Sequence, residues 1–530
     1  MPTYADLLLE RAGDDHLGLV FEDRQWTWAE IVQECADRTP LLRPGMHVGL
    51  LLDNLPDYVF WLGACALQGA ALVGINPTRR GAQLEADIGH TDIDLLVTEA
   101  RHRNAVGSFE HVLIEDLQLP TGVPLVIDPS VQESTTLLLL FTSGSTGAPK
   151  AVVCTSGRYA RLAGNGTALF GLTREDVLYQ SMPMFHGNAL MTSIAPATAL
   201  GATVVMRRRF SASEFLPDVR RHGCTFFNYV GRSLAYVLAT PPTEHDADNR
   251  LRLGFGTEAS PRDMDAFTAR FDCPLLENYG SSEGAISIRK VPGTPRGALG
   301  KPPEGMPVAI LDDNGNECAR ARFDEHGALV NADEAIGEIV GLQAATAFEG
   351  YYKNPEAEAQ RVVGSAYRTG DLGYQDEDGW FWFAGRGADW LRVDSENFAA
   401  GPVESILSRW EPAVMVAVYP VPDARTGDQV MAAVEMATGT AFDPVAFGAF
   451  LQSQPDLGTK WAPRYVRVVE AMPLTGSNKV NKNPLRAEQW SAGPVFWRLG
   501  REIDYRELTE ADCEALRAEF AEHERLDLLG

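Results

Sequence analysis

The apolar run Thr136-Leu137-Leu138-Leu139-Leu140-Phe141 empties directly into Thr142-Ser143-Gly144-Ser145-Thr146-Gly147-Ala148-Pro149-Lys150. A short apolar run bounded by turn residues predicts a buried strand. Gly144 and Gly147 free the backbone to turn its N–H groups inward. Ser143, Ser145 and Thr146 add hydroxyl donors, and Lys150 adds a point charge. A strand that ends in this way is suited to holding phosphate. It is not a Walker loop, because two residues rather than four separate the glycines and Ala151 follows the lysine. The same residues in another order would read as a flexible surface loop.

A chain of 530 residues exceeds one ordinary core, so two or more domains are expected. Its hydrophobic share of 45% and charged share of 22% are those of a globular protein. A net charge of −26 argues against nucleic acid as a partner. An anionic nucleotide must then be drawn in by a local electropositive pocket. The seven cysteines are scattered, with no Cys-x-x-Cys pair, which fits a reducing cytoplasm and suggests no zinc site. The start, Met-Pro-Thr-Tyr-Ala-Asp, lacks the basic-then-apolar order of a secretory signal. The most membrane-like stretch, Val59 to Ile75, contains Gln68 and three glycines and follows the polar Asp53-Asn54-Leu55-Pro56-Asp57. It predicts a buried helix leading into a strand at Ala71 to Ile75, not a membrane span.

Through the first 380 residues or so, short β-rich runs alternate with helix-length amphipathic stretches. Val48 to Leu52, Leu95 to Val97 and Ala202 to Met206 are such runs. That rhythm predicts an α/β fold with parallel-rich sheets. From Gly337 the texture changes to short strands and turns, Gly337 to Gly341 and then Gly373 to Trp380, which predicts a small β-rich subdomain. After Arg386 a smaller α+β segment begins, with a helix over Val403 to Trp410 and a strand over Val414 to Tyr419. The expected division is residues 1–386 and 387–530, with a hinge near 386–390. A terminal amphipathic helix, Thr509 to Glu522, reads as a packing element.

A series of polar motifs follows the glycine-rich string in order. Pro183-Met184-Phe185-His186 comes first. Gly256-Thr257-Glu258-Ala259 follows a strand expected at Leu251 to Leu253. Then come Asn278-Tyr279-Gly280-Ser281-Ser282-Glu283, Tyr367-Arg368-Thr369-Gly370-Asp371, Gly385-Arg386, and Lys479 at the end of Leu474-Thr475-Gly476-Ser477-Asn478-Lys479. From about Trp26 to Lys482, order and spacing resemble the ANL superfamily of acyl-CoA synthetases, adenylation domains and luciferases. That resemblance implies a large N-terminal domain, a mobile C-terminal lid, and activation of a carboxylate by ATP to an acyl-adenylate, with transfer to the thiol of coenzyme A.

The resemblance also implies roles. Thr146 and Glu283 would place Mg²⁺ on the phosphates, a hydroxyl and a carboxylate suiting a hard cation. Thr142, Ser143, Gly144, Ser145, Gly147 and Lys150 would hold the phosphates. Tyr279 would stack on adenine, with Gly256, Thr257 and Asn278 lining the base, and Glu258, Gly280 and Ser282 would stand in the same nucleotide site. Asp371 would accept from the ribose hydroxyls and Arg386 would reach the ribose. Lys479, on the lid, would bridge the substrate carboxylate and the α-phosphate. His186 would stand at the mouth of the acyl pocket or serve as a structural histidine. Homodimers are common among such relatives.

Phe226-Phe227-Asn228-Tyr229-Val230-Gly231-Arg232 and Glu396-Asn397-Phe398 resemble the fatty-acid-transport-protein-like and very-long-chain branch. His186 stands where amino-acid-activating domains place an aspartate, so a lipophilic acid without an α-amino group is expected, fatty or polycyclic. The lid departs from the pattern at Ala388, Ser395 and Ala400-Gly401-Pro402. Those departures keep open a chain specialised for one half-reaction; a separate alternative keeps the adenylate and changes the acceptor to a carrier protein or an amine. Two short patterns point elsewhere. Gly280-Ser281-Ser282-Glu283-Gly284 matches the nucleophile elbow of serine hydrolases. Leu253 to Ala259 matches a loose dinucleotide fingerprint without a well-supported βαβ unit around it.

Overall fold

The computed structural model describes residues 2–142, 150–325, 329–386, 390–393, 396–425, 427–458, 460–475, 479–500 and 502–529, with the backbone alone at Asn165, Arg386, Trp390, Arg392, Glu396 and Asn397. Ser143, Gly144, Ser145, Thr146 and Gly147 lie outside these residues, as do Ala388 and Ser395.

Two parallel-rich sheets form the bulk of the molecule. The first has eight strands in the order Ser287–Arg289, Leu275–Gly280, Leu253–Thr257, Phe226–Val230, Val177–Gln180, Thr203–Met206, Leu17–Phe21 and Arg24–Thr27. Only its two edge pairs are antiparallel. The second has six, Val112–Leu113, Leu95–Thr98, His47–Leu51, Ala71–Gly74, Thr136–Phe141 and Ala151–Thr155, antiparallel only at the last pair. Phe226–Val230 and Ala71–Gly74 are buried along their whole length. Their near-continuous apolar sequence is what a strand covered on both faces requires.

The largest core lies among these sheets and their helices, with Trp28, Tyr58, Trp61, Leu138 and Phe226 at its centre. The helix Pro56–Gln68 runs through it, buried everywhere but at Asp57 and Gln68. Pro56 opens its first turn, and Gly69 ends it in the left-handed conformation at φ 71°. Among the described residues no helix is long and apolar enough to cross a membrane.

An antiparallel sheet follows, built on Val308–Leu311, Gly337–Gly341 and the ten-residue strand Ala366–Gln375, which also pairs with Val362–Val363 and Phe381–Arg386. Beyond it come the pair Trp390–Val393 with Glu396–Ala399, and a five-stranded sheet in the order Ala413–Pro422, Asp428–Met436, Tyr465–Val469, Val495–Trp497 and Arg506–Glu507. Two hydrophobic clusters there draw only on residues from Leu391 onward.

Several boundaries move. The helix expected over Val403 to Trp410 runs Ala400–Leu407, because Pro402 sits in the first turn, where its missing N–H costs nothing. The strand expected at Leu251 to Leu253 is Leu253–Thr257, so Gly256 and Thr257 lie inside it and not in a following loop. A Cβ at Gly254 would stand 2.5 Å from the Phe227 ring, and one at Gly256 2.5 Å from Tyr229 Cε2. Aromatic packing on the neighbouring strand therefore demands both glycines.

Candidate active site

His186 is held from both large sheets. The segment ahead of it is pinned by Asn54, whose Nδ2 donates to the carbonyls of Met182 (3.0 Å) and Arg207 (3.1 Å), while the Met184 N–H donates to Asn54 Oδ1 (2.9 Å). Gly74, in the six-stranded sheet, admits the Phe185 backbone, since a Cβ there would sit 2.7 Å from its carbonyl oxygen. His186 caps the short helix Gly187–Ala189, its Nδ1 facing the Asn188 N–H at 3.5 Å. A π-helical turn, Leu190–Ile194, follows, a distortion frequent at functional sites. Burial, with the Lys479 charge adding to it and Glu258 opposing, pushes the imidazole down to about 4. It is neutral at physiological pH.

Glu258 follows the strand Leu253–Thr257 in the left-handed region at φ 67°. A non-glycine residue held there costs about 1–2 kcal/mol, a strain concentrated at functional sites. Two neighbours enforce it. Gly231 lies against the Glu258 carbonyl, and a Cβ there would be 2.6 Å from Ala259 N. The Ala259 N–H donates to Glu277 Oε1 at 2.8 Å. Burial raises the Glu277 carboxyl, with Lys290 pulling the other way. The Glu258 carboxylate then meets Lys479, Nζ to Oε1 at 2.6 Å. Lys479 thus reaches from the C-terminal part of the chain to the strand ends of the eight-stranded sheet.

Three polar contacts accompany it. Arg232 Nη1 donates to the Met472 carbonyl (3.0 Å), the Tyr236 hydroxyl donates to Glu435 Oε1 (3.2 Å), and the Met472 N–H donates to Glu435 Oε2 (2.7 Å). Arg262 donates to the carbonyls of Trp410 (3.2 Å) and Ala413 (3.1 Å).

On the opposite side, the Tyr279 hydroxyl donates to Asp371 Oδ2 at 2.8 Å, and Asp371 pairs across the ladder with Arg386. Burial, together with the Asp371 charge, raises the Tyr279 phenol far above its ordinary range, so it is a hydrogen-bond donor throughout. Beside Tyr279, Asn278 Oδ1 is buried without a hydrogen-bond partner, an acceptor suited to an exocyclic amino group. Glu283, 7% exposed, accepts from the Tyr351 hydroxyl at 2.8 Å. Its charge acts on Lys150, whose proton affinity burial and Arg361 both lower. The Thr142 N–H donates to the Lys150 carbonyl at 3.0 Å where Phe141 pairs with Ala151. A buried carboxylate beside a lysine suits a hard cation riding on phosphate oxygens.

Lys479, Glu258 and His186 therefore form one cluster, Tyr279 and Asp371 a second, and Lys150 with Glu283 a third. Sequence reasoning missed Glu277 and Tyr351, whose partners Ala259 and Glu283 lie 18 and 68 residues away, and Arg361, which ends a helix outside every motif. The two short patterns, set aside on sequence grounds as chance matches, carry neither chemistry. Gly280 to Gly284 turns an antiparallel hairpin from Leu275–Gly280 into Ser287–Arg289, not a strand into a helix, so Ser282 has no elbow geometry. The dinucleotide pattern does lie in a βαβ unit, Leu253–Thr257, Pro261–Phe271 and Leu275–Gly280. Its glycines Gly254 and Gly256, however, are inside the strand and packed on rings, leaving no glycine turn for a pyrophosphate.

Residues 9–352 match the family model "AMP-binding enzyme", and residues 402–479 match "AMP-binding enzyme C-terminal domain". The steroid-22-oyl-CoA synthetase of Rhodococcus jostii is 52% identical over 99% of this chain and 98% of its own length. The medium/long-chain-fatty-acid–CoA ligase FadD17 of Mycobacterium tuberculosis is 41% identical over 94% of this chain and 99% of its own. Among solved structures, the anthranilate CoA ligase AuaEII in complex with anthranoyl-AMP covers 92% of this chain and 97% of its own at a TM-score of 0.80 and 22% identity. The Bacillus subtilis o-succinylbenzoate CoA synthetase with ATP and magnesium covers 93% and 100% at 0.75 and 21%. The two structures share the fold, and the sequence relatives, similar along nearly the whole chain, share more. The chain belongs to the AMP-binding enzyme family, as one of its acyl-CoA ligases.

Proposed function

We propose that this ligase activates a bulky polycyclic carboxylic acid of the steroid side-chain type and passes the acyl group to CoA. The observation that carries the reading is Lys479, which stands with His186 and Glu258 at the strand ends where a carboxylate would meet a nucleotide. The substrate class follows the R. jostii relative.

ATP supplies the adenylyl group and CoA the acceptor thiol. Asp371, fixed by Tyr279, receives the ribose hydroxyls, and Arg386 joins it there. Tyr279 offers its ring to adenine. Gly256, Thr257 and Asn278 line the base, Asn278 Oδ1 accepting from its amino group. Lys150 and the string Thr142 to Gly147 hold the phosphates. Mg²⁺, when bound, neutralises phosphate charge, and Glu283 with Thr146 would hold it. Lys479 leaves Glu258 for the incoming carboxylate and the α-phosphate, aligning them and offsetting the charge of the transition state. Neutral His186 marks the acyl mouth without adding charge. The division at residues 386–390, as the hinge that moves Lys479, and a cytoplasmic setting with seven free thiols belong to the same reading.

The test incubates the protein with ATP, Mg²⁺ and CoA and one acid at a time: a steroid side-chain acid, a long-chain fatty acid, an aryl acid. Mass spectrometry should find the steroidal acyl-CoA in large excess. Preference for the fatty or aryl acid overturns the substrate class. An acyl-AMP without a CoA product transfers the reading to another acceptor, a carrier-protein thiol or an amine.

A further inference from the structure

Arg361 is the last residue of the helix Pro355–Arg361 and has no role in the reading above, on which this inference depends. Its side chain turns back under the Arg368 to Asp371 segment, Nη1 donating to the Arg368 carbonyl at 3.3 Å. It fills the space left by Gly370, where a Cβ would lie 3.1 Å from Cζ and 3.2 Å from Nη2. Gly370, at φ 74°, both makes the turn before Asp371 and admits the guanidinium. On its other side Arg361 meets the Tyr351 hydroxyl, which itself donates to buried Glu283.

Lys150 enters the same neighbourhood through the backbone: the next residue, Ala151, accepts from the Tyr352 N–H at 2.8 Å, and Val152 pairs with Tyr351, the residue whose hydroxyl joins Arg361 to Glu283. Two partly buried cations thus divide one carboxylate, in a chain whose net charge is −26. Two cations beside a single carboxylate leave a local excess of positive charge that attracts an anion. A residue needed only to brace Gly370 would be served by its alkyl stem and one hydrogen bond. A second full charge beside Lys150 suits a multiply charged anion.

We propose that Arg361 is a second cationic group for the pyrophosphate end of ATP, acting beside Lys150. In the adenylation step a carboxylate oxygen bonds to the α-phosphorus, the bond from the α-phosphorus to the bridging oxygen of the β-phosphate breaks, and that oxygen leaves with the electron pair on pyrophosphate. No redox change occurs. Arg361 takes up the charge gathering on the leaving group, for which a planar, permanently charged fork is suited. AMP lacks those phosphates and gains nothing from it.

The test compares Arg361→Met, which keeps the stem against Gly370, and Arg361→Lys, which keeps the charge. Calorimetry measures binding of Mg-ATP, inorganic pyrophosphate and AMP to the whole protein, and acid-dependent ATP–pyrophosphate exchange is followed in parallel. Arg361→Met should weaken ATP and pyrophosphate about 10- to 100-fold, as loss of a charged hydrogen bond does, with AMP changed less than about twofold. Arg361→Lys should recover part of that loss. Should Arg361→Met fail to fold, Arg361→Lys alone decides, by weakening pyrophosphate more than AMP. Equal weakening of ATP and AMP, or no change in either, overturns the assignment and leaves Arg361 as a brace for the ribose segment. Wild-type protein without exchange on any acid would instead sink the ligase reading itself.

Discussion

The two sides of the site are built in different ways. On the side proposed for the nucleotide, groups sit on strands or in the turns that close them and are fixed by neighbouring elements: Tyr279 by Asp371, Glu283 by Tyr351, the turn at Glu258 by Gly231 and Glu277. On the other side a single ammonium, Lys479, is delivered by the segment after Met472, steadied by Arg232, Tyr236 and Glu435. A group on a strand holds its position through the ladder, whereas one on a loop holds it through whatever few contacts the loop makes. The first side is suited to keeping one ligand in place throughout a reaction. The second is suited to a group wanted in one step only.

Lys479→Ala breaks the comparison most sharply. If Lys479 serves adenylation alone, the variant should lose about 10²- to 10³-fold in acyl-adenylate formation, the loss typical of one charge-stabilising donor. Thioester formation from a pre-made acyl-adenylate and CoA should change by less than about threefold. Stopped-flow measurement of both half-reactions checks this, and equal losses would mean that the lysine stays in place through both.

Asp371→Asn sharpens the other side. Both half-reactions use the nucleotide moiety, so both should weaken. The KM for ATP and the Kd for AMP should each rise about 10- to 30-fold, because a charged acceptor becomes a neutral one. The Tyr279 hydroxyl would keep an acceptor, so Tm should fall by only a few degrees. A rise for ATP without one for AMP would place Asp371 away from the ribose.

Arg232→Met should act on delivery and not on chemistry. It removes the donor to the Met472 carbonyl and the charge beside Glu435, itself only 7% exposed. Adenylation should slow about tenfold, thioester formation should not slow, and the Tyr236→Phe, Arg232→Met double variant should lose less than the sum of the two single losses. Additive losses would mean that the two contacts are independent.

Legibility in the sequence followed the same division. Thr136–Phe141 and Gly337–Gly341 lie where the residues predict them, because an apolar run closed by turn residues needs no help from the rest of the chain. The parallel-rich sheets were legible for the same reason. Asp371 was harder, since the sequence around Gly370 and Gly373 reads as broken. The strand Ala366–Gln375 nevertheless runs through, with a register shift at Leu372 and Gly373, because neighbours on both sides supply its hydrogen bonds. Glu258 gave no local signal of its left-handed backbone, which Gly231 and Glu277 impose from 27 residues before and 19 after. Arg361 gave none either, because its meaning depends on Lys150 and Glu283 arriving beside it. Side chains that act through distant partners are invisible to a reading by spacing, however clear the strands that carry them.

The smallest predicted effect concerns His186, which lies where the two sides meet. Its proton affinity in the folded protein, about 4, is below the ordinary 6.5, chiefly through burial and then through Lys479. At pH 7 the imidazole is neutral in the folded chain and mostly neutral in the unfolded one, so it contributes little to pH dependence. As pH falls from 6.5 towards 4, the unfolded chain takes up a proton that the folded one refuses, so folding is penalised progressively in that window. His186→Gln removes the penalty while keeping a polar side chain of similar reach. Between pH 7 and pH 5 wild type should therefore lose more Tm than His186→Gln, and the rate of acyl-adenylate formation should show no step near 6.5 in wild type. Lys479 contributes to the depression, so Lys479→Ala should narrow the difference in Tm between wild type and His186→Gln backgrounds. An unchanged difference would mean that Lys479 spends little time beside His186, and that the delivered side of the site is looser than its contacts with Glu258 and Glu435 imply.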